Sequence, residues 1–328
     1  MGAPDSQPVY TMIISLITVI FSCGFNDGVV ALVMGTSPPD SPPVSPPSGP
    51  EKQFTALFAF GDSITDNGNN NYFLGSLAKA NYVPYGVDFE EGPSGRFSNG
   101  RTCLDYIGDL IGIPNLPAFA NPSATGINIL RGVNYASAAA GILDETGQNL
   151  GQRFSLSQQV ENFEKTLNQL RNNMNMSDEE ISHYLSKALV VMTLGSNDYI
   201  NNYLVPSMYP TSFLYNPKDY ADLLIQRYAR QILAVFVYGN TYGAFGDILN
   251  NPTAYGFKVT DRGCCGVGRN EGQVTCLPFS IPCRERNQYM FWDAFHPTQA
   301  AHQILAQRAY TGPPSDCYPI NLQQMALL

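Results

Sequence analysis

From residue 54 onward, short apolar runs alternate with stretches of helical period. Phe54 to Phe60, Val133 to Ala140, Ala188 to Leu194 and Val235 to Tyr238 are continuous enough to be strands buried on both faces. Ala188-Leu-Val-Val-Met-Thr-Leu194 is the strongest of them, and Val133 to Ala140 the weakest because of its alanines. Between the runs, Val160, Phe163, Leu167 and Leu170 recur at helical spacing after Ser157. Ser177-Asp-Glu-Glu180 has the form of a capping box and predicts a helix through Ala188. Tyr220, Leu223, Leu224, Tyr228 and Ile232 mark another helix over 219–233, and Pro297 predicts a last one through Ala300, Ala301, Ile304 and Leu305. Strands separated by helices predict an α/β sheet with crossover helices.

One junction breaks this rhythm. In Gln231-Ile-Leu-Ala-Val-Phe-Val-Tyr238 the helix meets the next strand with no Gly, Pro or turn between them, where about 2–6 connecting residues are usual.

The N-terminus follows a different pattern. Met12 to Phe21 is an uninterrupted apolar run, shorter than a bilayer requires, and a second apolar patch spans Val29 to Met34. Residues 1–35 read as a secretory signal region, although the first ten carry Asp5 and no Lys or Arg. The Pro/Ser tract over 36–53 cannot form a core and reads as a linker.

Composition narrows the partners. Charged residues make up 14% of the 328-residue chain and the net charge is −9, so no basic field attracts nucleic acid or an anionic membrane. Of seven cysteines, Cys23 lies in the signal region, leaving Cys103, Cys264, Cys265, Cys276, Cys283 and Cys317. An even number in an exported chain predicts disulfides, with the pairing open. Zinc is the weaker reading, because the cluster has no Cys-x-x-Cys pair and no neighbouring His. Asn175-Met-Ser177 is a glycosylation sequon.

The candidate chemistry sits at strand ends. Gly61-Asp62-Ser63 follows the first strand and runs into Asn67-Gly-Asn-Asn-Asn71. Alone, it reads better as a plain turn. His183 and His302 lie inside predicted helices without an obvious partner, whereas His296 precedes the last helix with Asp293 three residues before it. That spacing lets a carboxylate take the imidazole Nδ1–H and leaves Nε2 to accept a serine proton. Leu194-Gly-Ser-Asn-Asp198 follows the strongest strand, and Asn197 there offers side-chain N–H donors for an oxyanion. Gly132 to Ile142 is rich in small residues that let a backbone N–H approach a ligand. Each piece has an ordinary reading as a turn, a cap or a packed small residue. No Gly-x-Ser-x-Gly, His-Glu-x-x-His or Gly-x-x-x-x-Gly-Lys occurs.

Together these segments resemble the plant GDSL esterase/lipases of the SGNH hydrolase superfamily. FAFGDSITDNGNNN, PYGVDF…GRFSNGRT, GVNYASAAAGIL, LGSNDYINNY, DRGCCGVGR and FWDAFHPTQAA carry the likeness across 54–328. It implies a three-layer α/β/α flavodoxin-like hydrolase domain with Ser63 as nucleophile, His296 as base and Asp293 as its orienting carboxylate. Oxyanion donors would be the Ser63 N–H, Asn197 and a backbone N–H of the second block, Ala138 or Gly141. The implied substrate is a lipid or cell-wall-type carboxylic ester, handled by a secreted enzyme with no cofactor, metal or stable membrane anchor. An acyltransferase using the same triad, or a truncated chain with an incompetent sheet, are the alternatives. The resemblance also accounts for the junction. Family sheets run 2-1-3-4-5, and a strand, its helix and a Cys-bearing segment are missing after residue 233. The strand 235–238 should then pair beside 189–194 or leave a gap.

Overall fold

The computed structural model describes residues 18–23, 54–231, 236–318 and 320–326. The Pro/Ser tract, most of residues 1–35 that the sequence suggests as a signal, and the junction residues 232–235 lie outside the described residues. The strands are β1 (Thr18–Cys23), β2 (Leu57–Gly61), β3 (Leu189–Leu194), β4 (Phe236–Gly239), β5 (Val259–Gly263), β6 (Tyr289–Phe291) and β7 (Cys317–Tyr318). Helices of eight or more residues among those described are α1 (Cys103–Leu110), α2 (Leu156–Asn173), α3 (Asp178–Ser186), α4 (Pro217–Gln231), α5 (Thr241–Asn250) and α6 (Gln299–Thr311).

β2 and β3 pair in parallel, with Leu57 opposite Leu189 and Gly61 opposite Thr193. On the far side of β2, residues 131–137 run alongside it. Leu57 and Ala59 donate to Arg131 and Val133, and Tyr135 and Ser137 donate back to Ala59 and Gly61. The strand predicted over Val133–Ala140 is therefore extended only to about Ser137, where the chain turns. Successive residues of β2 and β3 face opposite layers. Phe58, Phe60, Val190 and Met192 pack with Leu156, Phe163 and Leu170 of α2 and with Ile181 and Leu185 of α3. Leu57, Ala59, Leu189 and Val191 pack with Leu104 and Ile107 of α1 and with Ala306 and Tyr310 of α6. Helices thus cover both faces of the sheet, as the alternation predicted.

The main sheet has the order β2-β3-β1-β4-β7. β4 neither pairs with β3 nor faces a gap, contrary to both expectations. β1 lies antiparallel between them, with Thr18 opposite Leu194 and Cys23 opposite Leu189 on one side, and Val19 opposite Gly239 on the other. It overlaps the apolar run assigned to the signal region. A run such as Thr-Val-Ile-Phe suits a strand because β-branched and aromatic residues fit a pleated surface.

Helix starts moved where caps decided them. α2 begins at Leu156, earlier than its apolar period implied, because Ser155 and Gln158 form a reciprocal capping box. α6 begins at Gln299 rather than Pro297: the Thr298 hydroxyl accepts from the Ala301 N–H, and Pro297 bridges back to Phe291. The clustered cysteines are spent as Cys264–Cys283 and Cys265–Cys276 disulfides, and Cys103 and Cys317 remain thiols. Among the described residues, no helix is long and apolar enough to cross a membrane.

Candidate active site

β2 ends against its neighbour so closely that only glycine fits. A Cβ on Gly61 would stand 2.8 Å from the Thr193 carbonyl oxygen. The Gln159 side chain binds both backbone groups of Gly61, each at 2.8 Å. The chain then turns sharply, with the Thr65 and Asp66 N–H groups donating to the Asp62 carbonyl. Asp62 is buried beneath this turn. Its carboxylate accepts from the Ile64 N–H at 3.0 Å and the Ser196 hydroxyl at 3.2 Å. Burial pushes its pKa up to about 6 despite those bonds. Ser63 is left at the carboxyl end of β2, partly exposed on the rim of a cavity of about 290 Å³, where open α/β sheets place their ligands.

The Asn tract after Ser63 is not a solvated turn. Asn69 and Asn70 are buried. Asn69 donates to the Asn134 and Ala136 carbonyls, and Asn70 to the Ala78 and Ala138 carbonyls. Asp66 accepts from the Gly68, Asn69 and Ala138 N–H groups; burial still pushes its pKa up to about 6. These bonds clamp the Ser63 turn to the end of the segment 131–137.

Opposite Ser63, the loop before α6 folds back on itself. The Asp293 Oδ1 accepts from the Phe295 and His296 N–H groups at 2.9 and 3.0 Å, and His296 Nδ1 lies 2.7 Å away. Its Oδ2 accepts from the Tyr85 hydroxyl at 2.6 Å. Burial raises the Asp293 pKa, yet the His296 charge and these hydrogen bonds bring it below the ordinary carboxylate value. A carboxylate at Nδ1 selects the tautomer with its proton there. Nε2 then presents its lone pair to the Ser63 Oγ, 2.9 Å away. The Phe97 ring lies 5.0 Å from the imidazole. The remaining histidines are elsewhere: His183 is exposed on α3, and His302 lines a separate cavity with Cys103 and Cys317.

Asn197 follows β3 on a short helical turn after Gly195, whose φ is 120°. One Nδ2 hydrogen donates to the Ala140 carbonyl at 2.9 Å, and the amide oxygen accepts from Asn201 at 2.6 Å. The side chain is thereby held at the cavity with a second N–H in hand. The second-block donors need correction. The Ala138 N–H is taken by Asp66 Oδ2 at 2.9 Å. Gly141 does not line the cavity; its Cα packs against Asp198, whose carboxylate a Cβ would approach to 2.6 Å. Ala139 lines it instead, with φ 68°. Its N–H and that of Ser63 find no acceptor among the described residues.

The profile described as GDSL-like Lipase/Acylhydrolase matches residues 57–243 and 224–309, most of the chain. The chain belongs to the GDSL lipase/acylhydrolase family. As a GDSL protein it is a hydrolase acting on ester bonds. The GDSL esterase/lipase At1g71250 of Arabidopsis thaliana is 49% identical over 336 residues, covering 83% of this chain and 89% of that protein. GDSL esterase/lipase At5g08460 of the same plant is 47% identical over 342 residues, 84% of this chain and 88% of that protein. The 336 aligned positions exceed the part of this 328-residue chain that takes part, 83%, by about 60. The relatives thus hold about 60 residues for which this GDSL chain has no counterpart. The two profile matches overlap at 224–243, around the junction that has no turn.

Tyr85, Gln159, Asp66, Asn69 and Asn70 support the candidate site without having been expected there, and Ala139 sits inside the second block without having been singled out. Tyr85 lay in a quoted family block, and the Asn residues in another, so position was signalled but role was not.

Proposed function

We propose that this GDSL chain hydrolyses carboxylic esters through an acyl-enzyme on Ser63. The observation that carries the reading is the continuous relay from Ser63 Oγ to His296 Nε2 at 2.9 Å and from His296 Nδ1 to Asp293 at 2.7 Å. His296 takes the Ser63 proton as Oγ attacks the ester carbonyl. Asp293 stabilises the imidazolium that forms and fixes its orientation. The developing oxyanion takes hydrogen bonds from the Ser63 N–H, the Asn197 amide and the Ala139 N–H. The imidazolium protonates the departing alkoxide, and water, deprotonated by His296, then releases the acid. No step calls on a cofactor or metal.

The test is labelling of the full chain with a fluorophosphonate probe, alongside hydrolysis of p-nitrophenyl butyrate. Expected is one label on Ser63, with label and turnover both lost in Ser63→Ala while circular dichroism is unchanged. An unlabelled parent would identify a chain in which the missing segment has disabled the site, and would overturn the proposal.

We further propose that the enzyme works on lipid or cell-wall-type esters outside the cell. Two disulfides in a loop-rich segment and the apolar run at Met12–Phe21 support export. Asn175, exposed in the turn between α2 and α3, is the proposed glycosylation site. N-terminal sequencing and glycosidase treatment of the protein recovered from plant cell medium check both points. An unprocessed, unglycosylated chain found only inside cells refutes them.

A further inference from the structure

Beside the catalytic cavity, the segment between Cys276 and Cys283 reads Leu-Pro-Phe-Ser-Ile-Pro and carries no charge. Phe279 is 86% exposed and Ile281 95% exposed. Nothing among the described residues buries them, yet their positions are fixed. Both disulfides, Cys264–Cys283 and Cys265–Cys276, close on this segment. The Phe279 N–H donates to the Val83 carbonyl at 3.0 Å, and the Tyr82 hydroxyl to the Cys276 carbonyl at 3.0 Å. Phe279 has φ 62°, a left-handed backbone that is costly for an aromatic residue. On the loop that these bonds tie to it, Leu74 and Leu77 are 98% and 77% exposed. Leu77, Val274 and Phe295 belong to both surfaces: they are exposed, and they line the cavity that holds Ser63.

We propose that this apolar rim is a docking surface for the interface of aggregated neutral ester lipid, from which a single acyl chain passes into the cavity. The proposal rests on the reading of that cavity as the ester site. Three observations select a lipid phase as occupant. The rim is continuous with the mouth of the cavity, so the surface that binds it also delivers substrate. The segment 272–283 has no charged side chain, so it enters an apolar layer without desolvating an ion. The chain's net charge of −9 opposes both an anionic bilayer and a second copy of itself.

Flotation with triolein droplets coated with phosphatidylcholine tests this on the full-length Ser63→Ala chain, which cannot consume the droplet. Expected is that Ser63→Ala floats and that adding Phe279→Ser with Ile281→Ser lowers partition by about 100-fold, near tenfold for each partly inserted side chain. Leu74→Ser, on the other loop, should lower it independently by about tenfold. With Ser63 intact, Phe279→Ser/Ile281→Ser should hydrolyse p-nitrophenyl acetate at the parental rate, since neither side chain lines the cavity. Absence of flotation, or equal flotation of all variants, overturns the proposal. So does a concentration-dependent dimer that the same substitutions abolish without any droplet binding. Failure of the ester-site reading shows separately, as a parent that floats but hydrolyses nothing.

Discussion

Replacing Tyr85 by Phe removes one oxygen from a buried position and leaves the ring. The ring keeps its contacts with Tyr82, Phe97 and Trp292, at centroid distances of 5.4, 5.7 and 6.3 Å. No cavity large enough to matter is created, so the effect is confined to the hydroxyl's hydrogen bonds with Thr275 and Asp293, and the second bears on His296. That bond is the 2.6 Å contact to Asp293 Oδ2. Among the described residues Tyr85 is the one donor to Oδ2; the other three bonds go to Oδ1. Burial, with Asp293 beside it, raises the Tyr85 phenol well above its ordinary value, so it donates throughout the neutral range. A hydrogen bond to a buried charge contributes about 1.5–3 kcal/mol. Asp293 is charged before His296 takes the proton as well as after, so this sets a ceiling: kcat falls by up to about 10- to 150-fold at neutral pH, with KM little changed. The pH dependence follows from the sign of the shift. Asp293 is depressed in the folded protein, so its contribution is present at neutral pH and fades as pH falls through its folded value. Losing the Tyr85 bond raises that value and brings the loss in at higher pH. The assay is kcat and KM for p-nitrophenyl butyrate from pH 4.5 to 8, with urea midpoints at pH 5 and pH 7. A Tyr85→Phe enzyme with parental kcat and parental midpoints over this range would refute the reasoning.

Ala139→Gly should stabilise the protein by about 1 kcal/mol, because a left-handed backbone costs an L-residue about that much; a melting temperature at or below the parent's contradicts this. Burial pushes the Asp62 pKa up from an ordinary 3.8 to about 6, so the folded state binds the proton more tightly and stability falls as pH rises between those values. Asp62→Asn lacks this penalty and should gain on the parent by up to about 3 kcal/mol between pH 4 and pH 7; parallel stability curves in urea would exclude it. Burial pushes the Cys103 and Cys317 thiols up to about 12. Iodoacetamide at pH 8 should therefore modify neither in the native protein and both in guanidinium, read by peptide mass; native alkylation of either contradicts their placement.

Much of the sheet could be read in advance because its physics is local. β2 and β3 are apolar runs buried on both faces, and Ser177 announces α3 by a capping box within three residues. Asp293 and His296 share one loop, so their pairing needed no knowledge of the fold. What escaped the sequence reading depends on distant partners or on letters with two meanings. Tyr85 reaches Asp293 across 208 positions, and an isolated Tyr shows no such commitment. Asn69 and Asn70 have the composition of a turn, but the same amides that favour turns also cross-link buried carbonyls. Ala139 adopts a backbone conformation that alanine does not advertise, whereas the resemblance implied a glycine N–H in that block and so pointed to Ala138 or Gly141. Pro297 and Thr298 are adjacent helix-start signals, and the hydroxyl cap won. The middle of the sheet was obscured for a similar reason, since an apolar β-branched run satisfies a leader and a strand equally.

That double meaning has a consequence for how the molecule is made. β1 completes the hydrogen bonding of β3 on one side and β4 on the other. Cleavage downstream of it would leave two facing rows of unpaired N–H and C=O groups in the interior of the sheet rather than at its margin. Their separation would be about 10 Å, two strand spacings, the width that one extended peptide fills. Under the proposed export, destination and architecture compete for the same residues. A chain that keeps them closes on itself; a chain that surrenders them carries an open slot able to capture an extended segment from another molecule.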